Sequence, residues 1–242
     1  MKNFKFIIAS LVAVALLASC DDGSVTEKSH INPDVTYSVV VKGKLTGMDT
    51  WSSGYSVVLG GFNDESPYSL IQKSITLGDD DEVNISLSGI PTTTKTIEIA
   101  AVNGLRIKLA SLCSYTIPEG QSTSETITID FGTVDASMYS AIQKNIFEKS
   151  DMNCYRCHRS SSGAGKLSLV AGESYASLVN VASNHDPNVK RVVPGDAANS
   201  LLYQSMANNI LPNMDHTGFF AGDDNGRLLT LLRAWIDGGA KK

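Results

Sequence analysis

The spacing of the apolar residues changes once, near Asp135, and that change limits what the chain can fold into. Before it, apolar and polar residues alternate. Tyr37, Val39 and Val41 alternate with Thr36, Ser38 and Lys42, the period of two expected of a half-buried strand. Similar runs follow over 54–62, 69–77, 83–87, 96–102, 105–116 and 126–131, separated by turn signals such as Gly60-Gly61, Gly78-Asp79-Asp80-Asp81 and Pro118-Glu119-Gly120. Asn103-Gly104 between two such runs is the strongest hairpin signal in the chain. Seven short strands in roughly a hundred residues predict an all-β sandwich of immunoglobulin-like size over 35–133. The Cys…Trp…Cys spacing of antibody domains is missing, so the likeness is architectural only.

After Asp135 the apolar residues take helical spacing. Met138, Ile142, Ile146 and Phe147 follow Ser137 as N-cap, and a short helix starts at Ser174 with Tyr175, Leu178 and Val179 on one face. Leu201, Leu202, Tyr203 and Met206 follow a cap at Asp196. A last amphipathic helix runs from about 223 to 237 with Leu228, Leu231, Leu232, Trp235 and Ile236 as its stripe, ended by Gly238-Gly239. These signals predict a second, small all-α domain over 136–242.

The amino terminus reads as a targeting segment. Lys2 and Lys5 precede an apolar run from Phe6 to Leu17 that is too short to span a bilayer. The run closes on Leu17-Ala18-Ser19-Cys20, which resembles the lipobox of bacterial lipoproteins. The pattern predicts a signal peptide over 1–19, acylation of Cys20, and a polar lipidated tether over 20–34. Several acyl chains on one residue anchor stably where a single chain is marginal. The expected location is the cell envelope, on the outer membrane at its periplasmic or cell-surface face. Losing 1–19 removes Lys2 and Lys5, which takes the 20 basic residues to 18 against 25 acidic ones, a net of −7. An acidic chain without a basic patch argues against nucleic acid as a partner.

Chemistry concentrates at Cys154-Tyr155-Arg156-Cys157-His158. C-x-x-C-H is the attachment signature of c-type haem: Cys154 and Cys157 form thioethers with the haem vinyl groups, and His158 becomes the proximal iron ligand. A zinc site would need a second ligand pair, and the other cysteines, Cys20 and Cys113, stand far apart. A thioredoxin-like redox pair follows a strand in a βαβ unit, whereas helix precedes this motif. With Cys20 lipidated and two cysteines on one covalent haem, Cys113 is left as a small buried apolar residue. Other motifs fail on inspection. Asp79-Asp80-Asp81-Glu82 lacks the alternating donors of a calcium loop, and Gly163-Ala164-Gly165-Lys166 lacks the remaining P-loop positions. Trp51, Tyr55 and Phe62 read as core rather than as a sugar platform.

Several motifs in order carry a resemblance. Besides the haem motif they are Lys166-Leu167-Ser168-Leu169, Ser174-Tyr175-Ala176-Ser177-Leu178, Val193-Pro194-Gly195-Asp196, Ser200-Leu201-Leu202-Tyr203 and Arg233-Ala234-Trp235-Ile236-Asp237-Gly238-Gly239-Ala240. Over 139–240 the chain resembles the small cytochrome c domains of the planctomycete-type group. The resemblance implies a cytochrome c-like all-α domain and a membrane-anchored carrier that passes single electrons to a redox partner protein. In that family the axial methionine stands just before a proline; here Leu211-Pro212 takes its place. Met214 is the first candidate for the sixth ligand and His216 the second, with Met206 read as core and His185 and His30 farther off. Methionine opposite histidine raises a haem's reduction potential, and a second histidine lowers it. Two other functions stay open: a glycan- or protein-binding lipoprotein that grips through its β-sandwich loops, and a haem peroxidase. The latter needs a distal acid–base pair that the segment does not offer. A non-enzymatic carrier is the expectation. Leu169, Leu201, Leu202, Met214 and Trp235 are expected to line the cleft.

Overall fold

The alternating half of the chain forms seven strands: β1 (Thr36–Thr46), β2 (Tyr55–Phe62), β3 (Ile71–Ser74), β4 (Glu82–Pro91), β5 (Thr96–Asn103), β6 (Lys108–Thr116) and β7 (Thr126–Asp135). The structure, a computed structural model, describes residues 35–152, 154–160, 163–211, 213–222 and 226–242. The signal peptide, Cys20, the tether and His30 lie outside the described residues. One sheet has the order β4-β1-β7, the other β3-β2-β5-β6. β1 pairs antiparallel with β4 and parallel with β7, so everything from β2 to β6 lies within the crossover that a parallel pair requires. The second sheet is antiparallel throughout.

Burial follows the alternation where the alternation is strict. In β4 and β7, Val83, Ile85, Leu87, Ile127 and Ile129 are buried and their neighbours exposed. They share one hydrophobic cluster with Val57, Leu59, Ile97, Ile99 and Leu112 of the other sheet. β5 is buried on both faces from Ile97 to Val102. Between Lys42 and Lys44 the β1/β7 register shifts at Gly43, whose φ of 151° brings it so close to β7 that a Cβ would lie 2.6 Å from the Gly132 carbonyl oxygen. The Asn103-Gly104 signal marks a real hairpin, with Asn103 Oδ1 accepting from the amides of Leu105 and Ile107.

Among the described residues four α-helices follow: α1 (Met138–Ile142), α2 (Ser174–Leu178), α3 (Leu201–Ala207) and α4 (Arg227–Asp237). Ser137 caps α1 by accepting from the Ser140 amide at 3.1 Å. Asp196 caps the turn before α3 instead of the helix, taking the Asn199 amide at 3.0 Å. α1 passes into a wider π turn, Gln143–Phe147, so Ile146 and Phe147 are buried as their spacing suggested but not on one continuous α-helix.

The expected architecture, a sandwich followed by a small all-α cytochrome c-like domain, does not form. The described residues are mostly β, in two sheets, and no sizeable all-α domain appears: the longest helix has 11 residues and two have five. The cause is length. Helices of one to three turns cannot bury their apolar faces on one another alone and depend on tertiary packing. α1 and α4 pack against β6 as well as against each other. β6 is an edge strand, and polar side chains from the helical segment reach its carbonyls. Lys144 Nζ donates to Leu112 O at 3.2 Å, Asn145 Nδ2 to Ser111 O at 3.1 Å, and Arg227 Nη1 to Lys108 O at 3.1 Å. On the other flank Trp51 Nε1 donates to Ala136 O at 2.7 Å, and Thr50 Oγ1 accepts from the Met138 amide at 2.9 Å.

Candidate functional site

The Cys-x-x-Cys-His motif begins on a single 3-10 turn, Cys154–Arg156. The amides of Cys157 and His158 both donate to Cys154 O, at 3.3 and 3.1 Å, which folds the histidine back over the first cysteine. Cys154, Cys157 and His158 consequently line one cavity of about 420 Å³, within the range of small-molecule and cofactor sites. Cys154 is partly buried, its thiol donating to Ile146 O at 3.6 Å, and burial pushes its pKa up to about 11. Cys157 is exposed at the rim.

The loop after the motif is bound tightly to it. Ala164 N donates to Cys157 O at 3.1 Å, and Gly163 sits where a Cβ would be 2.8 Å from that same oxygen, so only glycine fits. His158 Nδ1 lies 2.8 Å from Ala164 O. A carbonyl oxygen only accepts, so Nδ1 carries the proton and the lone pair sits on Nε2, free for a metal. Burial holds the imidazole below its ordinary pKa; the Ala164 bond works against this, and the facing His216 ring and Arg191 add to it. His158 is therefore neutral, the form that ligates.

Behind the motif a buried polar chain joins three elements. Tyr139 of α1 donates to Ser174 Oγ at 2.5 Å, Ser174 donates to Gln143 Oε1 at 2.6 Å, and Gln143 Nε2 donates to Leu169 O at 3.0 Å. Leu169 N in turn donates to His158 O at 2.7 Å. The wall behind His158 is thus set by α1, α2 and the segment after the motif together.

Sequence reasoning missed Arg191. It is 9% exposed and lines the cavity. Its guanidinium donates to Ser177 O at 2.7 Å, Gly165 O at 2.9 Å and Lys166 O at 3.1 Å, and no carboxylate pairs with it among the described residues. A buried charge satisfied only by neutral oxygens, three carbonyls and the Ser177 hydroxyl at 3.4 Å, keeps its need for an anion. No motif marks it, because its position is set by tertiary packing.

Across the cavity stands the loop before α4. Asp215 Oδ1 accepts from the amide and hydroxyl of Thr217, at 2.9 and 2.7 Å, and these bonds hold its carboxyl below the usual carboxylate range. The turn brings the His216 ring to 6.3 Å from the His158 ring, centre to centre, with 28° between the planes. Met214 also lines the cavity but is 47% exposed, and Met206 is buried in the wall. His185, exposed, borders the same cavity. Leu169, Leu201 and Leu202 line it; Trp235 does not, being packed against Tyr139 and Tyr175 with Nε1 donating to Lys241 O at 2.6 Å.

The residues fit a haem. Two cysteines and a histidine with a free Nε2 share an apolar wall, and a buried cation without an anion suits the group's carboxylates. Among the described residues no cluster of three or more His, Cys, Asp or Glu could hold a metal ion by itself, and no helix is long and apolar enough to cross a membrane. Comparison with protein-family models, curated proteins and solved structures returns no match.

Proposed function

We propose that this chain is a c-type cytochrome that passes single electrons at the cell envelope, anchored through lipid on Cys20. One observation carries the reading: Cys154, Cys157 and a neutral His158 with Nε2 free stand together on the wall of one apolar cavity. Bound haem would supply one-electron redox chemistry. The chain's own residues hold and orient it. Cys154 and Cys157 take the thioether bonds, His158 offers Nε2 to the iron, and Met214 and His216 are the candidates across the cavity. Arg191 offers its charge to the carboxylates, while Leu169, Leu202, Met206 and Phe220 keep water out. Exposed Cys157 and Phe219 lie on the rim, where a redox partner protein would dock.

The test is covalency. Mature protein made in a host with c-type maturation should keep its haem through acidified organic extraction, and the Cys154→Ala/Cys157→Ala variant should carry none. Haem that leaves the wild-type chain sinks the reading. The anchor is tested separately: Cys20→Ser should shift the protein from the membrane fraction to the soluble one, and an unshifted protein removes lipid from the proposal.

A further inference from the structure

We infer that His216, and not Met214, is the side chain that binds the iron opposite His158, an assignment that rests on the haem reading above. Two imidazole nitrogens on opposite sides of one first-row metal, each about 2.0–2.1 Å from it, hold their ring centres about 6 Å apart once each ring's radius is included. The His158 and His216 centres are 6.3 Å apart.

The hydrogen bonding of the two rings points the same way. His158 has committed Nδ1 to Ala164 O and keeps one nitrogen open. On His216 neither nitrogen has a hydrogen bond to any described residue, and Nδ1 is shut off from water. An imidazole nitrogen stripped of water with nothing in exchange is destabilising, a cost that a group bound at that nitrogen would offset. Met214 shows the opposite: nearly half exposed, it has no unmet need. The loop supports the choice. Asp215 clamps Thr217 across His216, which fixes the backbone on both sides of it, and the Phe219 ring lies 6.1 Å from the imidazole, centre to centre.

The consequence is a low-potential haem with both axial positions filled by nitrogen, a centre suited to electron transfer and closed to small ligands. The experiment uses the covalently loaded protein. The oxidised wild type should lack the weak far-red sulfur-to-iron band, Met214→Leu should leave the spectrum unchanged, and His216→Ala should open the sixth position, so that the reduced variant binds carbon monoxide rapidly while the wild type does not. His216→Met should raise the reduction potential. A wild-type sulfur band that disappears in Met214→Leu would overturn this assignment while leaving the haem reading intact. A His216→Ala spectrum identical to wild type would do the same. Haem lost on acid extraction would remove both.

Discussion

The strands and the segment after Asp135 satisfy their backbones in different ways. In β1–β7 the backbone is paired strand to strand in ladders, on both sides in β1, β2 and β5, and a side chain contributes mainly the area it buries. Between Ala136 and Ala240 long stretches lie outside helices and strands, and single side chains serve the carbonyls and amides there: Arg191 takes three carbonyls, Ser200 accepts from the Val193 amide, and Asp237 accepts from the Ala197 amide. A ladder spreads its stability over many equivalent bonds. A segment shaped around a cavity rests on a few bonds that nothing duplicates. The strand region should therefore tolerate loss of most single polar side chains, and the site region should not.

The largest effect is expected at the exception inside the strands. Glu98 is 5% exposed, with Lys108 Nζ 2.9 Å from Oε1 and nothing on Oε2. Lys108→Met removes the partner of a buried charge and should cost about 3–5 kcal/mol, read as a lower urea midpoint, and adding Glu98→Gln should restore most of it. A loss below about 1 kcal/mol would mean that the pair is solvated.

Arg191→Leu should cost about 3 kcal/mol, because three carbonyls lose a charged donor at once. Hydrogen exchange should quicken over 163–178 while the strand amides keep their protection; equal quickening in the strands would erase the contrast between the two regions. Thiol reactivity is a further measure of it. In cofactor-free protein at pH 8, Cys157 at the rim should alkylate first. Burial pushes Cys154 and Cys113 up to about 11, so each should react about a hundredfold more slowly than a thiol at the ordinary 9.0, one pKa unit being a factor of ten in thiolate. Mass spectrometry of the timed reaction checks the order. The smallest change is Asn145→Ala, about 1 kcal/mol for the part-buried side-chain bonds to Ser111 O and Ala141 O; a null result would show that water replaces them.

What the sequence makes legible follows from the same difference. Alternation in β4 and β7 needs only local period, and the buried positions agree with it residue by residue. Cys154, Cys157 and His158 stand out because their covalent spacing is itself the signal. Two expectations depend on distant partners. The helical periods after Asp135 suggested a free-standing α-domain, yet apolar stripes on short helices do not say what they will pack on, and here it is partly β6. Trp235, conspicuous on its stripe, goes to an aromatic cluster with Tyr139 and Tyr175 instead of the cavity. Arg191 and the facing of His216 toward His158 come from turns at Gly163 and Asp215, whose direction no local pattern states.

The side chains that reach β6 have a consequence for how such a chain can be inherited. Lys144, Asn145 and Arg227 cover carbonyls that would otherwise offer a docking edge to another copy. A gene cut after Asp135 would deliver a sheet prone to self-association and leave α1 and α4 without a floor. The motif-bearing segment and the sheet are therefore expected to travel through duplication and recombination as one cassette, with the seam between them closed to shuffling.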